Sequence, residues 1–381
     1  MSDDERPPSP TRRTELSNPM ISPLPPLDAS VRYKTDAPNS SAWKYFALFL
    51  SIASEITEEL MESDDIAFTN FLRNLRDHDI GLFSGATEYI GRGLTFSVRR
   101  SMMNEHQPVV FKSTVPETDF RGTVAEGLRL SAILLELRVL THPPLHMHPN
   151  IVTLLQVGWE GDPFNEFSKW PVLVVEYAEL GTLQDFFDSN STTPFSTKLT
   201  ICQDVTNGLQ ALHQCRVVHG DLKLLNVLMF AGDAQHPFVA KLSDFGGALP
   251  DIPNLMSLQL GTPPWNAPGR NCERPRDELL KSDVYSLGMV IWHVMLNGQS
   301  PFNDTELFHL PDPRNKEAWR NAVEFEKLND SLFLWKVNAS IATIGAIDKD
   351  LLSNIFNVSL RLSPEMRDIK TIAKLLNCSE R

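Results

Sequence analysis

The sequence predicts an α+β protein with two lobes, a strand-rich N-terminal lobe followed by a helical C-terminal lobe. Short β-like runs follow one another between about residues 87 and 176, whereas apolar residues at helical spacing dominate after Gly181. Strands followed by helices are typical of an α+β fold with a cleft between its lobes. The predicted strands include Tyr89–Ile90, Phe96–Arg99, Val109–Ser113, Ile151–Val157 and Val172–Glu176, and the predicted helices include Val124–Leu140, Thr197–Cys215, Lys281–Asn297 and Glu317–Leu328.

The residues before this domain form two predicted segments. Residues 1–40 are proline-rich, with seven prolines in the first 26 positions, and contain few apolar side chains. They bury too little surface to offset the entropy of ordering and are predicted to be a disordered tail. In residues 41–86, Trp43, Phe46 and Leu50 begin an apolar pattern with helical spacing, which predicts a helical extension.

Composition narrows the class of protein. The 381 residues carry a formal net charge of -13, which argues against a general affinity for nucleic acid or anionic lipid, because both require basic surfaces. The four cysteines have no CxxC spacing, and the longest apolar runs are shorter than the roughly 20 residues of a membrane-spanning helix. The N-terminus lacks the basic and then apolar order of a secretory signal. We therefore expect an intracellular, cytoplasmic protein without a membrane span, with the nucleus as an alternative location.

The strongest concentration of chemically active side chains begins at His219. The run His219–Val227 reads HGDLKLLNV, and Asp244–Gly246 reads DFG, eighteen residues after Asn226. This pair of motifs resembles the catalytic loop, HRDLKxxN, and the magnesium motif, DFG, of the eukaryotic-type protein kinases. A lysine two residues after Asp221 is similar to the serine/threonine subclass. The resemblance implies the two-lobed protein-kinase fold over 87–377, with an N-lobe at 87–176 and a C-lobe at 177–377.

The resemblance also assigns roles to these residues. Transfer of a γ-phosphoryl group requires an oriented hydroxyl and cations that neutralise phosphate charge. Asp221 is the implied catalytic base, and Lys223 is the implied cation beside the moving phosphoryl group. Asn226 and Asp244 offer the oxygen ligands that hard cations prefer, and they are the implied Mg²⁺ ligands. ATP and Mg²⁺ are therefore the expected cosubstrate and cofactor, and a protein with a Ser or Thr acceptor is the expected partner.

The expected phosphate-binding elements lie upstream. Gly91, Gly93 and Val98 belong to a segment similar to the family's glycine-rich loop, although Phe96 stands where the family has a third glycine. Farther on, Val109–Lys112 reads VVFK and resembles the strand whose lysine binds the α- and β-phosphates.

Lys112 then requires an acidic partner on the following helix, and Glu126 and Glu136 are both candidates. We choose Glu136, because the chain after it leads into His148–Val152, HPNIV, much as the family's helix C leads into its HPNIV turn. The segment Val174–Ala178 is similar to the hinge that holds adenine. Val175, Glu176 and Ala178 are its implied contacts, with Val175 as a small gatekeeper.

Gly220 departs from the family at a position that bears on regulation. Most protein kinases have an arginine there, which binds a phosphorylated residue of the activation loop. We therefore expect activity without loop phosphorylation. Ser257 is the one hydroxyl between Gly246 and Thr262, and Thr262 is expected to bridge Asp221 and Lys223.

Gly269 marks a second departure. It replaces a glutamate that in the family pairs with a late arginine, which corresponds here to Arg367. Losing one partner of a buried ion pair is costly. We therefore expect either that Glu273 is the substitute partner or that Arg367 lies exposed.

These motifs together predict an ATP- and Mg²⁺-dependent protein kinase that transfers the γ-phosphoryl group to Ser or Thr hydroxyls. The first alternative is a pseudokinase that serves as a scaffold or a regulatory ATP-binding module, which retention of the motif residues argues against. The second is a small-molecule kinase. Lys223 and the segment Gly261–Pro268, which resembles the family's peptide-site segment, argue against it. The sequence does not predict the oligomeric state.

Overall fold

A computed structural model describes residues 87–92, 96–104, 107–114, 132–133, 135–162, 165–190, 192–248, 261–268, 276–303, 305–308, 310–311, 314–342 and 349–378. The predicted tail over 1–40 and the predicted helical extension over 41–86 lie outside these residues. So do the following single positions: Gly93, Glu126, Ser257, Gly269 and Glu273.

The N-terminal part is an antiparallel sheet of five strands in the order β1-β2-β3-β5-β4. The strands are β1 (Glu88–Arg92), β2 (Phe96–Asn104), β3 (Gln107–Thr114), β4 (Leu154–Asp162) and β5 (Asn165–Glu176). Because side chains alternate along a strand, β3 contributes to both faces of the sheet. Val109 and Phe111 pack in a small outer cluster with Val172 and Val174, whereas Val110 joins the main core.

Helices make up most of the C-terminal part, and two helices of the N-terminal part lie between β3 and β4 in the chain. Helix α1 includes residues 132–133 and 135–141. It is followed by α2 (Pro143–His146), α3 (Leu183–Ser189), α4 (Phe195–Gln214), α5 (Arg276–Met295), α6 (Thr305–Phe308), α7 (Lys316–Lys327), α8 (Asp330–Ser340), α9 (Lys349–Asn357) and α10 (Ile369–Asn377). Within the described ranges, none of the helices has the length and apolar character needed to cross a bilayer.

A short hairpin, β6 (Val227–Ala231) with β7 (Phe238–Leu242), interrupts the helical part. Sequence spacing predicts largely helical structure after Gly181, so this hairpin was missed. Its strands are only five residues long, and tertiary contacts hold them in place. Isolated bridges join Ile151 to Leu242 and Thr182 to Leu228.

Helix α5 lies in the middle of the main core. Its segment Met289–Met295 is buried along the whole length, so the helix is apolar on every side, as expected of a central helix. Two polar side chains of α5, Asp283 and His293, are nevertheless 2% and 3% exposed. Each of them therefore requires a hydrogen-bonding partner inside the protein.

Arg367 is completely buried, with 0% of its surface exposed. Its guanidinium lies over the ring of Tyr285, with 5.0 Å between Cζ and the ring centroid. It donates hydrogen bonds to the backbone carbonyl oxygens of Arg361 (2.8 Å), Leu362 (2.8 Å) and Lys281 (3.2 Å). The expectation that Arg367 lies exposed is therefore wrong, because these carbonyls satisfy the charge inside the core. The expected pairing with Glu273 concerns a residue outside the described ranges.

The burial of His293 leads to a pH-dependent stability. Its ring packs on Trp265 at 4.0 Å between centroids, and its Nδ1 lies 2.8 Å from the carbonyl oxygen of Met289. Burial lowers the pKa of His293 to about 4. The folded chain therefore keeps this imidazole neutral between pH 6.5 and 4, where the unfolded chain takes up a proton.

We expect this histidine to reduce the free energy of unfolding by roughly 1.4 kcal/mol for each pH unit below 6.5, until pH falls to its folded pKa. A His293→Phe variant keeps the ring and loses the titration. Denaturant unfolding at several pH values between 7 and 4.5 should show a shallower pH dependence for the variant than for the wild type. Parallel curves would contradict the assignment.

Candidate active site

Hydrogen bonds to Asp283 of α5 hold the backbone of the loop that contains Asp221. One carboxylate oxygen of Asp283 accepts the backbone N–H of His219 at 2.8 Å, and the other accepts that of Gly220 at 3.0 Å. His213 Nε2 lies 3.0 Å from the same carboxylate. A buried carboxylate with several donors is a rigid support, because removing it would leave buried N–H groups without a partner. Gly220 itself has a φ of +80°, a conformation that glycine adopts without steric cost.

Asp221, Lys223 and Thr262 form a triangle of hydrogen bonds. Lys223 Nζ donates to Asp221 Oδ2 at 2.6 Å and to Thr262 Oγ1 at 3.1 Å. Thr262 Oγ1 in turn donates to Asp221 Oδ1 at 2.7 Å. The expected bridge by Thr262 is therefore present, and it fixes both oxygens of the carboxylate.

Asn226 lies beside this triangle. Its Nδ2 donates to the backbone oxygen of Asp221 at 2.8 Å and contacts Oδ2 of Asp221 at 3.3 Å. This arrangement leaves the amide oxygen of Asn226 as the atom that can face a cation. The backbone oxygen of Asn226 also accepts the N–H of Ser243 at 2.9 Å, which brings Asp244 next to the loop.

Asp244 has the left-handed backbone conformation that is rare for residues other than glycine, with a φ of +66°. Strain of this kind is found where function requires a side chain to point in a particular direction. The next residue, Phe245, is fully buried against the ring of His219, at 5.4 Å between centroids. The Asp244 side chain remains 42% exposed. Its carboxylate and the amide oxygen of Asn226 are a fitting donor set for Mg²⁺.

Lys112 of β3 joins the sheet, helix α1 and the loop of Asp244. Its Nζ lies 2.5 Å from Glu136 Oε1 and 3.5 Å from Asp244 Oδ1. Burial by itself would lower the pKa of Lys112, but the carboxylates of Glu136 and Asp244 together raise that pKa above its ordinary value. Burial raises the pKa of Glu136 to about 7, although the Lys112 ammonium opposes the rise. Oε2 of Glu136 is buried without a hydrogen-bond partner among the described residues, which is consistent with that direction.

Strand register places three of the predicted nucleotide-binding residues, Gly91, Val98 and Lys112, on one face of the sheet. Val98 is paired with Lys112 across β2 and β3, and Gly91 is paired with Val98 across β1 and β2. Phe96, two residues before Val98, projects to the same face because side chains alternate along a strand. Gly93 lies outside the described part of the chain, so its predicted contact with nucleotide stays a prediction.

The predicted hinge, Val174–Ala178, begins in the last three residues of β5. Val175 is 3% exposed and Ala178 is 7% exposed. The side chain of Glu176 connects β5 with two other segments of the chain. Glu176 Oε1 accepts the backbone N–H of Thr153 at 2.7 Å, and both carboxylate oxygens bind Lys241 Nζ, at 2.8 and 2.9 Å. Lys241 belongs to the hairpin that sequence spacing missed, and sequence analysis did not identify this ion pair.

A second unpredicted residue, Lys327, supports the segment after Thr262. Its Nζ donates to the backbone oxygens of Pro264 (2.6 Å) and Asn266 (3.0 Å), and it lies 3.1 Å from Glu324 Oε1. Lys327 is 1% exposed at the end of α7. A signal was present in the sequence, because Lys327 continues the i, i+4 series that begins with Trp319 and Val323.

The described residues contain no group of three His, Cys, Asp or Glu side chains that could hold a metal ion without other ligands. A cation bound by Asn226 and Asp244 would therefore complete its shell with substrate phosphates and water, which is the usual arrangement for Mg²⁺.

Comparison with known proteins agrees with this geometry. The family model "Protein kinase domain" matches residues 86–369. The serine/threonine-protein kinase CLA4 of Candida albicans is 34% identical over 163 residues, which is 42% of this chain and 15% of that protein. The serine/threonine-protein kinase PBL27 of Arabidopsis thaliana is 32% identical over 199 residues (48% and 35%), and human serine/threonine-protein kinase ULK3 is 30% identical over 156 residues (41% and 30%).

The matched regions thus span well under half the length of each of these relatives. The match to the family model, by contrast, extends through the sheet, the catalytic loop and the helices up to the start of α10. It confirms the predicted fold class, with a strand-rich lobe followed by a helical lobe. This chain belongs to the protein kinase domain family.

Proposed function

We propose that this chain is an ATP- and Mg²⁺-dependent protein kinase that phosphorylates Ser or Thr side chains of another protein. One observation carries the proposal, namely an unbroken series of contacts through the cleft. The series runs from Glu136 through Lys112 to Asp244, whose neighbour Ser243 binds the backbone oxygen of Asn226. From Asn226 it continues to Asp221, Lys223 and Thr262. Names of the similar proteins support the serine/threonine class, and the net charge of -13 supports an enzyme without a general affinity for nucleic acid. The scattered cysteines support a cytoplasmic location.

The contacts around Asp221 suit the orientation of an acceptor hydroxyl. Thr262 and Lys223 each hold one carboxylate oxygen, so the side chain cannot rotate freely. An incoming hydroxyl would donate its proton toward this fixed carboxylate while Lys223 balances the charge that develops beside it. Lys112 would hold the α- and β-phosphates. Bound Mg²⁺, held by Asn226 and Asp244, would supply neutralisation of phosphate charge.

A cleft in which one of these contacts is broken would favour the pseudokinase alternative. Lys112, Asp221, Asn226 and Asp244 instead have the partners that an active arrangement needs. The segment Gly261–Pro268 lies against Asp221 through Thr262, as expected of a protein kinase rather than a small-molecule kinase. Both alternatives are decided by measuring transfer itself.

Replacement of the proposed base provides the first test. Asp221→Asn should lower kcat by about 10² to 10⁴-fold, since a positioned base commonly contributes this much. The measurement is transfer of label from γ-labelled ATP, with magnesium, to generic basic proteins. Asp350→Asn is a matched control, because Asp350 is exposed at the start of α9. Equal transfer by wild type and Asp221→Asn would remove the assignment.

The bridge by Thr262 provides a second test. Thr262→Ala removes a donor to Asp221 and an acceptor for Lys223, so we expect kcat to fall by roughly tenfold or more, as each such bond is worth about 1 kcal/mol or somewhat more. Thr262→Ser retains the hydroxyl and should retain most of the rate. The KM for ATP should change little in either variant. A serine variant as slow as the alanine variant would contradict the proposed bridge.

Independence from loop phosphorylation is the third expectation. Gly220 supplies no guanidinium for a phosphate. Lys327 instead holds the segment after Thr262, through the backbone oxygens of Pro264 and Asn266. Ser257→Ala should therefore keep full turnover. The rate should also survive phosphatase treatment of the wild-type protein. A large loss of rate in either case would show that the activation loop requires phosphorylation.

A further inference from the structure

Phe96 lies beside Lys112, the buried cation of the cleft. It stands on β2 where the family's glycine-rich loop has its third glycine, and only 3% of its surface is exposed. Its ring centroid lies 4.4 Å from Lys112 Nζ. Because cations are attracted to the face of an aromatic ring, especially away from water, this contact stabilises the position of both side chains.

The ring also packs on the glycine of the DFG motif. A Cβ added to Gly246 would lie 2.7 Å from Cε2 of Phe96 and 3.5 Å from Cβ of Ala132 on α1. Real Cβ atoms do not approach carbon atoms so closely. Gly246 thus leaves the space that the ring fills, and Phe96 connects β2 with the loop of Asp244.

This position leaves little room for a phosphate at Lys112. An ammonium has three N–H donors, and within the described part of the chain Lys112 has three neighbours for them. They are Glu136 at 2.5 Å, Asp244 at 3.5 Å and the Phe96 ring at 4.4 Å. A phosphate oxygen at a bonding distance of about 2.8 Å from Nζ, on the line toward the ring, would lie roughly 1.6 Å from its centroid.

We propose that Phe96 is a gate on the phosphate subsite, whose ring must leave Lys112 before the phosphates of ATP can bind there. The inference rests on the proposed use of ATP, and it adds a residue that sets nucleotide affinity. The gate opens and closes in a conformational equilibrium. The apparent affinity for ATP is therefore the affinity of the open form multiplied by the fraction of molecules in which the gate is open. Adenosine has no phosphate, and its binding does not depend on the gate.

The test compares two ligands in two variants. Phe96→Gly restores the family's glycine and should lower the Kd for ATP by about ten- to thirtyfold, which corresponds to a cation–π contact at a desolvated site. The Kd for adenosine should change by less than about twofold. Phe96→Leu keeps most of the apolar volume and should give a smaller change in the same direction, which decides the question if the glycine variant does not fold. Isothermal titration calorimetry of the full chain measures all of these constants.

Val98→Ala is the matched control, because Val98 lies two residues away on the same face of the sheet. The Val98 side chain has no hydrogen-bond donor for a phosphate, so its truncation should change the Kd for ATP and the Kd for adenosine by the same factor. An unchanged Kd for ATP in the Phe96 variants would overturn the gate, and would indicate that phosphate displaces Asp244 from Lys112 instead. An equal gain for ATP and adenosine would overturn it as well.

These binding constants do not depend on phosphoryl transfer. If the Phe96 variants show the expected gain in affinity for ATP alone, but the protein transfers no label, the gate is supported and the proposed kinase activity is refuted. The reverse result, transfer with no ATP-specific gain, would refute the gate alone.

Discussion

The ion pair between Lys112 and Glu136 is the contact on which the geometry of the cleft depends. It joins β3 of the sheet to helix α1, and the neighbouring Asp244 adds the loop that carries the DFG motif. These three elements come from distant parts of the chain, and a buried cation holds them at one point. Because a buried charge without partners is strongly unfavourable, the ion pair also specifies how the elements meet. The same requirement places Phe96 against the remaining side of the ammonium.

Two further buried groups play a comparable part in the helical lobe. Asp283 supports the catalytic loop from α5 through two backbone N–H groups, and Lys327 supports the segment after Thr262 through two backbone carbonyls. In both cases a side-chain charge satisfies irregular backbone that has no partner in a helix or sheet. The cleft is thus lined by loops, yet central helices hold the loops in place. Asp221 gains its fixed orientation from this support.

Much of the site could be predicted because its chemistry requires particular residue types at short spacing. Asp221, Lys223 and Asn226 lie within six positions of one another, so one loop conformation brings them together. The pairing of Lys112 required more, since Glu126 was also a candidate and only the packing of α1 places Glu136 at 2.5 Å. The hairpin β6–β7 was missed because five-residue strands have little periodicity, and Arg367 proved buried because backbone carbonyls satisfy it.

The sequence alone therefore determined the class of protein, the succession of a strand-rich lobe and a helical lobe, and the residues that are expected to carry the chemistry. Periodicity and motif spacing are local properties, and they are preserved in a linear chain. Only the tertiary structure decided that Lys241 pairs with Glu176, that Lys327 donates a hydrogen bond to the backbone oxygen of Pro264, and that the Phe96 ring covers Lys112. These contacts join residues far apart in the chain, and burial and packing select them among many partners that the sequence allows equally well.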